Sequence, residues 1–247
     1  MALKKNDKKQ DVSQGFLAQR RHIINESSNF SVQEAYKTLR TNLRFAANRE
    51  GCKRFCVTSG LASEGKSITV LNLAISFAQA GSKVLLIDAD MRRPNLACLL
   101  IENGAPGLSN VLAGLCEAAQ AIRPEIRPNL DIIFSGEIPP NPSELLGGER
   151  MERLIAEMSQ KYDYIFVDAP PVGIVSDACL VGNLVDGALF VVRQNYSNRD
   201  SVSSAINQLQ IAGVKIIGFI FNGVAEETKG KPYYYDRSYQ SKPGEVR

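Results

Sequence analysis

Gly60-Leu61-Ala62-Ser63-Glu64-Gly65-Lys66-Ser67 fits a phosphate-binding loop at every fixed position, and it follows the apolar run Phe55-Cys56-Val57-Thr58. Each residue type has its own task. Gly60 and Gly65 let the backbone turn its N–H groups toward phosphate oxygens, Lys66 reaches the β and γ phosphates, and the Ser67 hydroxyl can ligate Mg²⁺. Downstream, Leu71, Ile75 and Ala78 recur at helical spacing, so the phosphates would sit at a helix N-terminus whose partial positive charge favours anions. Strand, glycine loop and helix in that order predict binding of a nucleoside triphosphate.

Working outward, strands are expected at Phe55 to Ser59, Val84 to Asp88, Leu130 to Ser135, Tyr164 to Asp168, Ala188 to Arg193 and Ile216 to Asn222. Helices are expected to begin near Gly65, Gly107, Pro142, Ser176 and Asn198, and a further one runs from a capping box, Ser31 with Glu34, through Leu39 and Leu43. Alternation of this kind predicts an α/β fold, a mostly parallel sheet with helices on both faces. A chain of 247 residues that is 44% apolar can bury one such core. The expected organisation is a loose basic arm over 1–30, one domain over 31–225, and a mobile tail over 226–247.

Net charge is only +3, with Lys4, Lys5, Lys8, Lys9, Arg20 and Arg21 crowded near the start. That segment reads first as solvated chain; attraction to an anionic membrane surface, about 1 kcal/mol per basic residue, is the sharper alternative. No apolar stretch has the length to span a bilayer and no secretion signal opens the chain, which predicts a cytoplasmic protein. The five cysteines, Cys52, Cys56, Cys98, Cys116 and Cys179, have no CxxC spacing and read as reduced, mostly core thiols, while His22, the only histidine, has no metal partner.

Two other strands end in acids. Val84-Leu85-Leu86-Ile87 runs into Asp88-Ala89-Asp90-Met91-Arg92-Arg93-Pro94, and Ile165-Phe166-Val167 runs into Asp168-Ala169-Pro170-Pro171. Ligands of open parallel sheets bind beyond the carboxyl ends of the strands, so these acids should meet Ser67 and the phosphates. Ser67, Asp88 and Asp168 suit Mg²⁺, directly or through water. Asp90 has two readings of equal standing from spacing: base for an attacking hydroxyl, or cap of a turn and partner of Arg92 or Arg93.

With those residues in place, the chain resembles the bacterial tyrosine kinases of capsule and exopolysaccharide synthesis, in the form whose kinase is separate from its membrane activator. The matching segments are Glu34 to Asn42, the loop, Asp88 to Pro94, Pro139-Pro140-Asn141-Pro142-Ser143-Glu144-Leu145-Leu146, Tyr162 to Pro171, and the tyrosine-rich end. The resemblance implies a P-loop NTPase-like fold of the deviant Walker A class, Mg²⁺ and ATP as cofactors, and autophosphorylation on tyrosine. It implies ATP contacts from Gly60, Ser63, Glu64, Gly65, Lys66, Ser67 and Ile68, and from Asn222 toward adenine. Lys66, Asp88, Asp90 and Asp168 would be the catalytic set, with Asp90 activating the tyrosine.

Glu34, Lys37 and Arg40 correspond to a family segment that builds a ring-shaped homo-oligomer. A transmembrane activator and a tyrosine phosphatase are the further expected partners, the chain lying at the inner face of the membrane, and no nucleic acid is expected. Departures from the family pattern are Ser63, where a glycine is usual, and Lys37, where an arginine is usual.

Tyr233, Tyr234, Tyr235 and Tyr239 make up four of the chain's eight tyrosines and fall in its last fifteen residues, where little else is apolar. That placement suits phosphoacceptors. Two other functions fit the loop alone: a partition or positioning ATPase, and a nucleotide-dependent regulator without kinase activity. Leu61 stands where such ATPases usually carry a second lysine, which speaks against the first.

Overall fold

The computed structural model describes residues 18–47 and 50–224. Its centre is a seven-stranded sheet in the order β3-β4-β2-β5-β1-β6-β7. The strands are β1 (Lys53–Ser59), β2 (Val84–Asp88), β3 (Ile122–Arg127), β4 (Leu130–Ile133), β5 (Tyr164–Asp168), β6 (Gly187–Arg193) and β7 (Ile216–Asn222). All neighbours pair in parallel except β3, which runs antiparallel to β4 at one edge.

Helices cover both faces: α1 (Phe30–Ala46), α2 (Lys66–Gln79), α3 (Leu96–Leu100), α4 (Leu108–Leu112), α5 (Ala118–Ala121), α6 (Pro142–Leu146), α7 (Glu149–Met158), α8 (Asp177–Gly182) and α9 (Arg199–Ile211). Unbroken apolar runs in the central strands follow from this cover. In β2, Leu85 and Ile87 join a core with Leu154 and Ile155 of α7, Val181 of α8 and Leu209 of α9. Val84 and Leu86 point the other way, into a core with Leu71 and Phe77 of α2 and Leu43 of α1. Each fully buried aliphatic side chain is worth roughly 2 kcal/mol against exposure, so neither face of β2 can be polar.

The α/β architecture is as the alternation predicts. One strand escapes it: β3 reads Ile122-Arg123-Pro124-Glu125-Ile126-Arg127, half exposed, with a register irregularity between Arg123 and Arg127 and Glu125 at φ 53°. A proline cannot donate to a ladder, so such a segment survives only at an edge. The start of α1 also differs from expectation. Asn29, not Ser31, is the cap: its side chain accepts from the Ser31 N–H.

Nor is the chain before residue 30 loose over its described part. Ile23 and Ile24 are buried, the Ile24 N–H donates to Asn72 Oδ1 at 2.9 Å, and Asn72 Nδ2 donates to the His22 carbonyl at 2.8 Å. A buried asparagine on α2 thus ties residues 22–24 to the domain, which places the packed boundary earlier than residue 31. His22 itself is exposed. All five cysteines are free; Cys56 is buried in the core, Cys52, Cys116 and Cys179 pack half-buried against it, and Cys98 is exposed, so the expectation of mostly core thiols holds for all but Cys98. Burial pushes the Cys56 thiol far above its usual range, which makes it unreactive.

No helix among the described residues is long and apolar enough to cross a membrane.

Candidate active site

The parallel order brings the carboxyl ends of β1, β5 and β2 side by side. Val57 of β1 lies opposite Asp168 of β5, and Asp168 lies opposite Asp88 of β2. The loop leaving β1 enters α2 through Gly65, whose φ of 89° is left-handed. A Cβ there would lie 2.1 Å from Asn222 Nδ2, so only glycine fits. The first amides of α2, those of Lys66, Ser67 and Ile68, have no partner within the helix and make the anion-binding end. Ile68 itself packs its side chain against the core.

The loop is braced from outside. Arg193 Nη1 donates to the Ser63 carbonyl at 2.8 Å, and Asn222 Nδ2 donates to the Glu64 carbonyl at 2.9 Å. Fully buried Glu64 accepts from the Leu61 N–H at 2.8 Å and from the Ser197 hydroxyl. Gly173 closes on the loop's first residue, since a Cβ there would lie 2.3 Å from the Gly60 carbonyl oxygen. Two expected ligand contacts are therefore engaged elsewhere: the Glu64 carboxylate fastens the loop to itself and to the segment before α9, and the Asn222 amide rests on loop backbone. Ser63 adopts φ 63°, a conformation that costs a non-glycine residue about 1–2 kcal/mol.

Lys66 converges on the acids. Its Nζ lies 2.7 Å from Asp90 Oδ2, 3.5 Å from Asp168 Oδ1 and 3.4 Å from Ser67 Oγ, with Asp88, Asp90 and Asp168 all buried. One ammonium therefore faces three carboxylates away from water. Burial, reinforced by Asp168, drives the Asp88 carboxyl well above the usual carboxylate range, and only Lys66 and the Leu96 amide pull it back appreciably. Asp168 is also raised by burial, with Lys66 and Ser67 opposing. For Lys66 burial disfavours the charge, but Asp168 and Asp90 more than compensate and it is held protonated.

Asp90 follows the turn-capping reading through one of its oxygens. Oδ1 accepts from the Arg93 N–H at 3.1 Å and so caps the turn, while Oδ2 accepts from Lys66. It does not pair with the Arg92 side chain. Arg92 instead reaches Asp177 of α8, a residue that composition did not single out, through Nε at 2.7 Å and Nη2 at 3.2 Å.

The residues fit a magnesium ion. Asp168 Oδ2 is buried with no hydrogen-bond partner, a hard oxygen left unsatisfied beside Ser67 and Asp88. Among the described residues no group of three or more His, Cys, Asp or Glu side chains forms a ready-made metal cage. That suits Mg²⁺, which keeps several waters and takes one or two carboxylates plus phosphate oxygens.

In α1, Glu34 and Lys37 pair with each other at 2.7 Å, whereas Arg40 Nη1 turns inward to the Ser76 carbonyl at 2.5 Å and the Ser76 hydroxyl at 2.9 Å. Tyr233, Tyr234, Tyr235 and Tyr239 lie outside the described residues.

Comparison with known proteins agrees with this geometry. A family model described as an AAA domain matches residues 61–211. Tyrosine-protein kinase YwqD of Bacillus subtilis is 36% identical over 235 residues, covering 95% of this chain and 96% of the relative. The chain belongs to the bacterial tyrosine-protein kinase family. Tyrosine-protein kinase wzc of Salmonella typhi is 38% identical over 210 residues, 84% of this chain but 29% of that longer protein.

Among solved structures, the kinase domain of Escherichia coli tyrosine kinase ETK superposes with a TM-score of 0.77 at 38% identity, covering 83% of this chain and 80% of that one. The septum site-determining protein MinD complexed with Mg-ADP from Pyrococcus horikoshii superposes with 0.59 at 26% identity, over 69% and 70%. As a member of the kinase family with a P-loop fold, the chain is a nucleotide-binding protein-tyrosine kinase.

Proposed function

We propose that the chain binds ATP with Mg²⁺ and transfers its γ-phosphoryl group to tyrosines of a C-terminal cluster, Tyr233, Tyr234, Tyr235 and Tyr239, on a neighbouring copy. The observation that carries this reading is the shared position of Lys66 between Asp90 at 2.7 Å and Asp168 at 3.5 Å. A phosphate-binding lysine and a carboxylate base occupy one dry pocket. Ser67, Asp88 and Asp168 would hold the metal, directly or through water, and its charge would neutralise the phosphates.

Lys66 and the α2 amides then hold the phosphates in line, and Lys66 cannot serve them while it remains on Asp90 Oδ2. Its departure frees that oxygen to accept the phenolic proton as the tyrosine oxygen attacks the γ-phosphorus and the bond from that phosphorus to the bridging oxygen breaks, releasing ADP. In the bare site, therefore, the base is occupied until phosphate draws the lysine away.

The family setting supports a role in capsular or exopolysaccharide synthesis and export. It also supports an oligomer using Glu34, Lys37 and Arg40, a transmembrane activator that brings the chain to the inner face of the membrane, and an opposing tyrosine phosphatase. A chimerical protein, CapA2B2, is among the structural neighbours, at 31% identity and a TM-score of 0.77. Four phosphotyrosines would add roughly −6 to −8 charge to the tail and so drive tail and copies apart.

A mixing experiment tests transfer between copies. Lys66→Met keeps the tail without the site, and the fourfold Tyr→Phe chain keeps the site without the tail. With Mg-ATP, phosphotyrosine is expected on the Lys66→Met chain only when both are present. Wild-type labelling together with a blank mixture contradicts transfer between copies, and ATP hydrolysis without any phosphotyrosine contradicts the kinase reading.

A further inference from the structure

We infer that Arg92, Asp177 and Ser143 form a clamp that positions Asp90 for proton abstraction; this rests on the reading of Asp90 as the base. The three residues come from three separate segments: the loop after β2, the first turn of α8, and α6. Arg92 Nε and Nη2 grip the two oxygens of Asp177 at 2.7 and 3.2 Å, and Nη2 also donates to Ser143 Oγ at 2.8 Å. Ser143 Oγ in turn donates to Asp177 Oδ1 at 2.6 Å, closing a triangle. Asp177 is fully buried. A two-pronged guanidinium–carboxylate contact fixes orientation as well as charge, which a lysine cannot reproduce.

The clamp matters because of what lies next to it in the chain. The N–H of Arg93, one residue beyond Arg92, donates to Asp90 Oδ1 at 3.1 Å, and the Asp90 N–H reaches back to Asp88 Oδ1 at 3.2 Å. Asp90 therefore opens the turn Asp90 to Arg93, which is pinned through the Arg92 side chain to α8 and α6. With Oδ1 held by the turn, Oδ2 is the oxygen that meets Lys66 at 2.7 Å and is left for the substrate proton when the lysine moves. Release of Arg92 lets the turn relax and the carboxylate rotate. Phosphate binding, which uses the loop and α2, does not pass through these residues. The clamp is thus a positioning device acting through Asp90, and its loss lowers turnover while leaving nucleotide binding in place.

The test is the initial rate of tyrosine phosphorylation, measured against ATP concentration, for Arg92→Lys, Asp177→Asn and Ser143→Ala, each made also in an Asp90→Asn background. Arg92→Lys and Asp177→Asn should each lower kcat about tenfold, the scale of a small misplacement of a catalytic group, with KM for ATP held within about twofold. In the Asp90→Asn background neither should lower the residual rate further. Asp177→Asn and Arg92→Lys combined should cost no more than either alone.

Unchanged kcat in both single variants, with Asp90→Asn impaired, overturns the clamp; so does an equal tenfold loss in the Asp90→Asn background. A wild-type rate in Asp90→Asn overturns the base assignment itself. Should Asp177→Asn fail to fold, Arg92→Lys, which keeps a cation beside the buried Asp177, and Ser143→Ala decide the question by the same criteria.

Discussion

The two sides of the pocket are built by opposite means. On the loop side the protein holds the Ser63 and Glu64 carbonyls through Arg193 and Asn222, and the Glu64 carboxylate accepts from Leu61 and Ser197. On the acid side one lysine pairs with two of three buried carboxylates, Asp90 and Asp168, and Asp168 Oδ2 has no partner at all. The loop is finished before nucleotide arrives, and the acids are not. Geometry is thus stored in the protein, while charge balance is left to the ligand, as expected where preorganised donors face a highly charged substrate.

The comparison breaks most visibly at Gly65. Replacing it by alanine places a methyl group 2.1 Å from Asn222 Nδ2 at a left-handed φ of 89°. The loop should lose its brace. We expect destabilisation by roughly 2 kcal/mol or more, a fall in Tm of about 4–8 °C, and loss of nucleotide binding by calorimetry. Near-normal affinity would mean that the loop is not prebuilt.

The acid side should answer to pH instead. Asp88 and Asp168 have folded-state pKa values raised by burial, so the folded chain binds protons that the unfolded chain has released. Their cost is absent below the unfolded carboxylate value of about 4 and grows as pH rises toward the raised values. Lys66, raised in the opposite sense for stability, matters only above about pH 10. In chelator and without nucleotide, the unfolding free energy should therefore decline from about pH 5 to pH 8, by up to about 1.4 kcal/mol per pH unit for each extra proton held, and Tm should fall with it. Asp88→Asn should flatten that decline; an unchanged slope would show that Asp88 carries no buried charge cost.

Ser63 offers the smallest effect and the finest test. Ser63→Gly removes a left-handed strain of about 1–2 kcal/mol but adds about 0.5–1 kcal/mol of unfolded-state entropy. A net gain of at most about 1.5 kcal/mol, or about 3–6 °C in Tm, should result, with nucleotide affinity unchanged because the Arg193 contact is to backbone. A drop in Tm would show that the serine side chain itself supports the turn.

Much of this was readable from the chain. Continuous apolar strands, a glycine loop and acids at strand ends all have short-range signatures, so β1, β2, β5 and the set Lys66, Asp88, Asp90 and Asp168 were legible. The edge strand β3 was not, because Pro124 and its half-polar pattern mimic a loop. Asn29 rather than Ser31 caps α1, since either residue suits a cap and only packing selects one. The brace and the clamp were also hidden. Glu64 meets Ser197 across 133 residues and Arg92 meets Asp177 across 85, and no local pattern encodes contacts of that separation.

The claim that the acid side is completed by a cation is tested most directly by ADP affinity with and without Mg²⁺, in the wild-type chain and in Asp168→Asn. Magnesium should tighten ADP binding at least tenfold in the wild type, about 1.4 kcal/mol, and by less than twofold in Asp168→Asn, whose magnesium-free affinity should equal or exceed that of the wild type because one buried charge is gone. An identical magnesium effect in both chains would contradict the account.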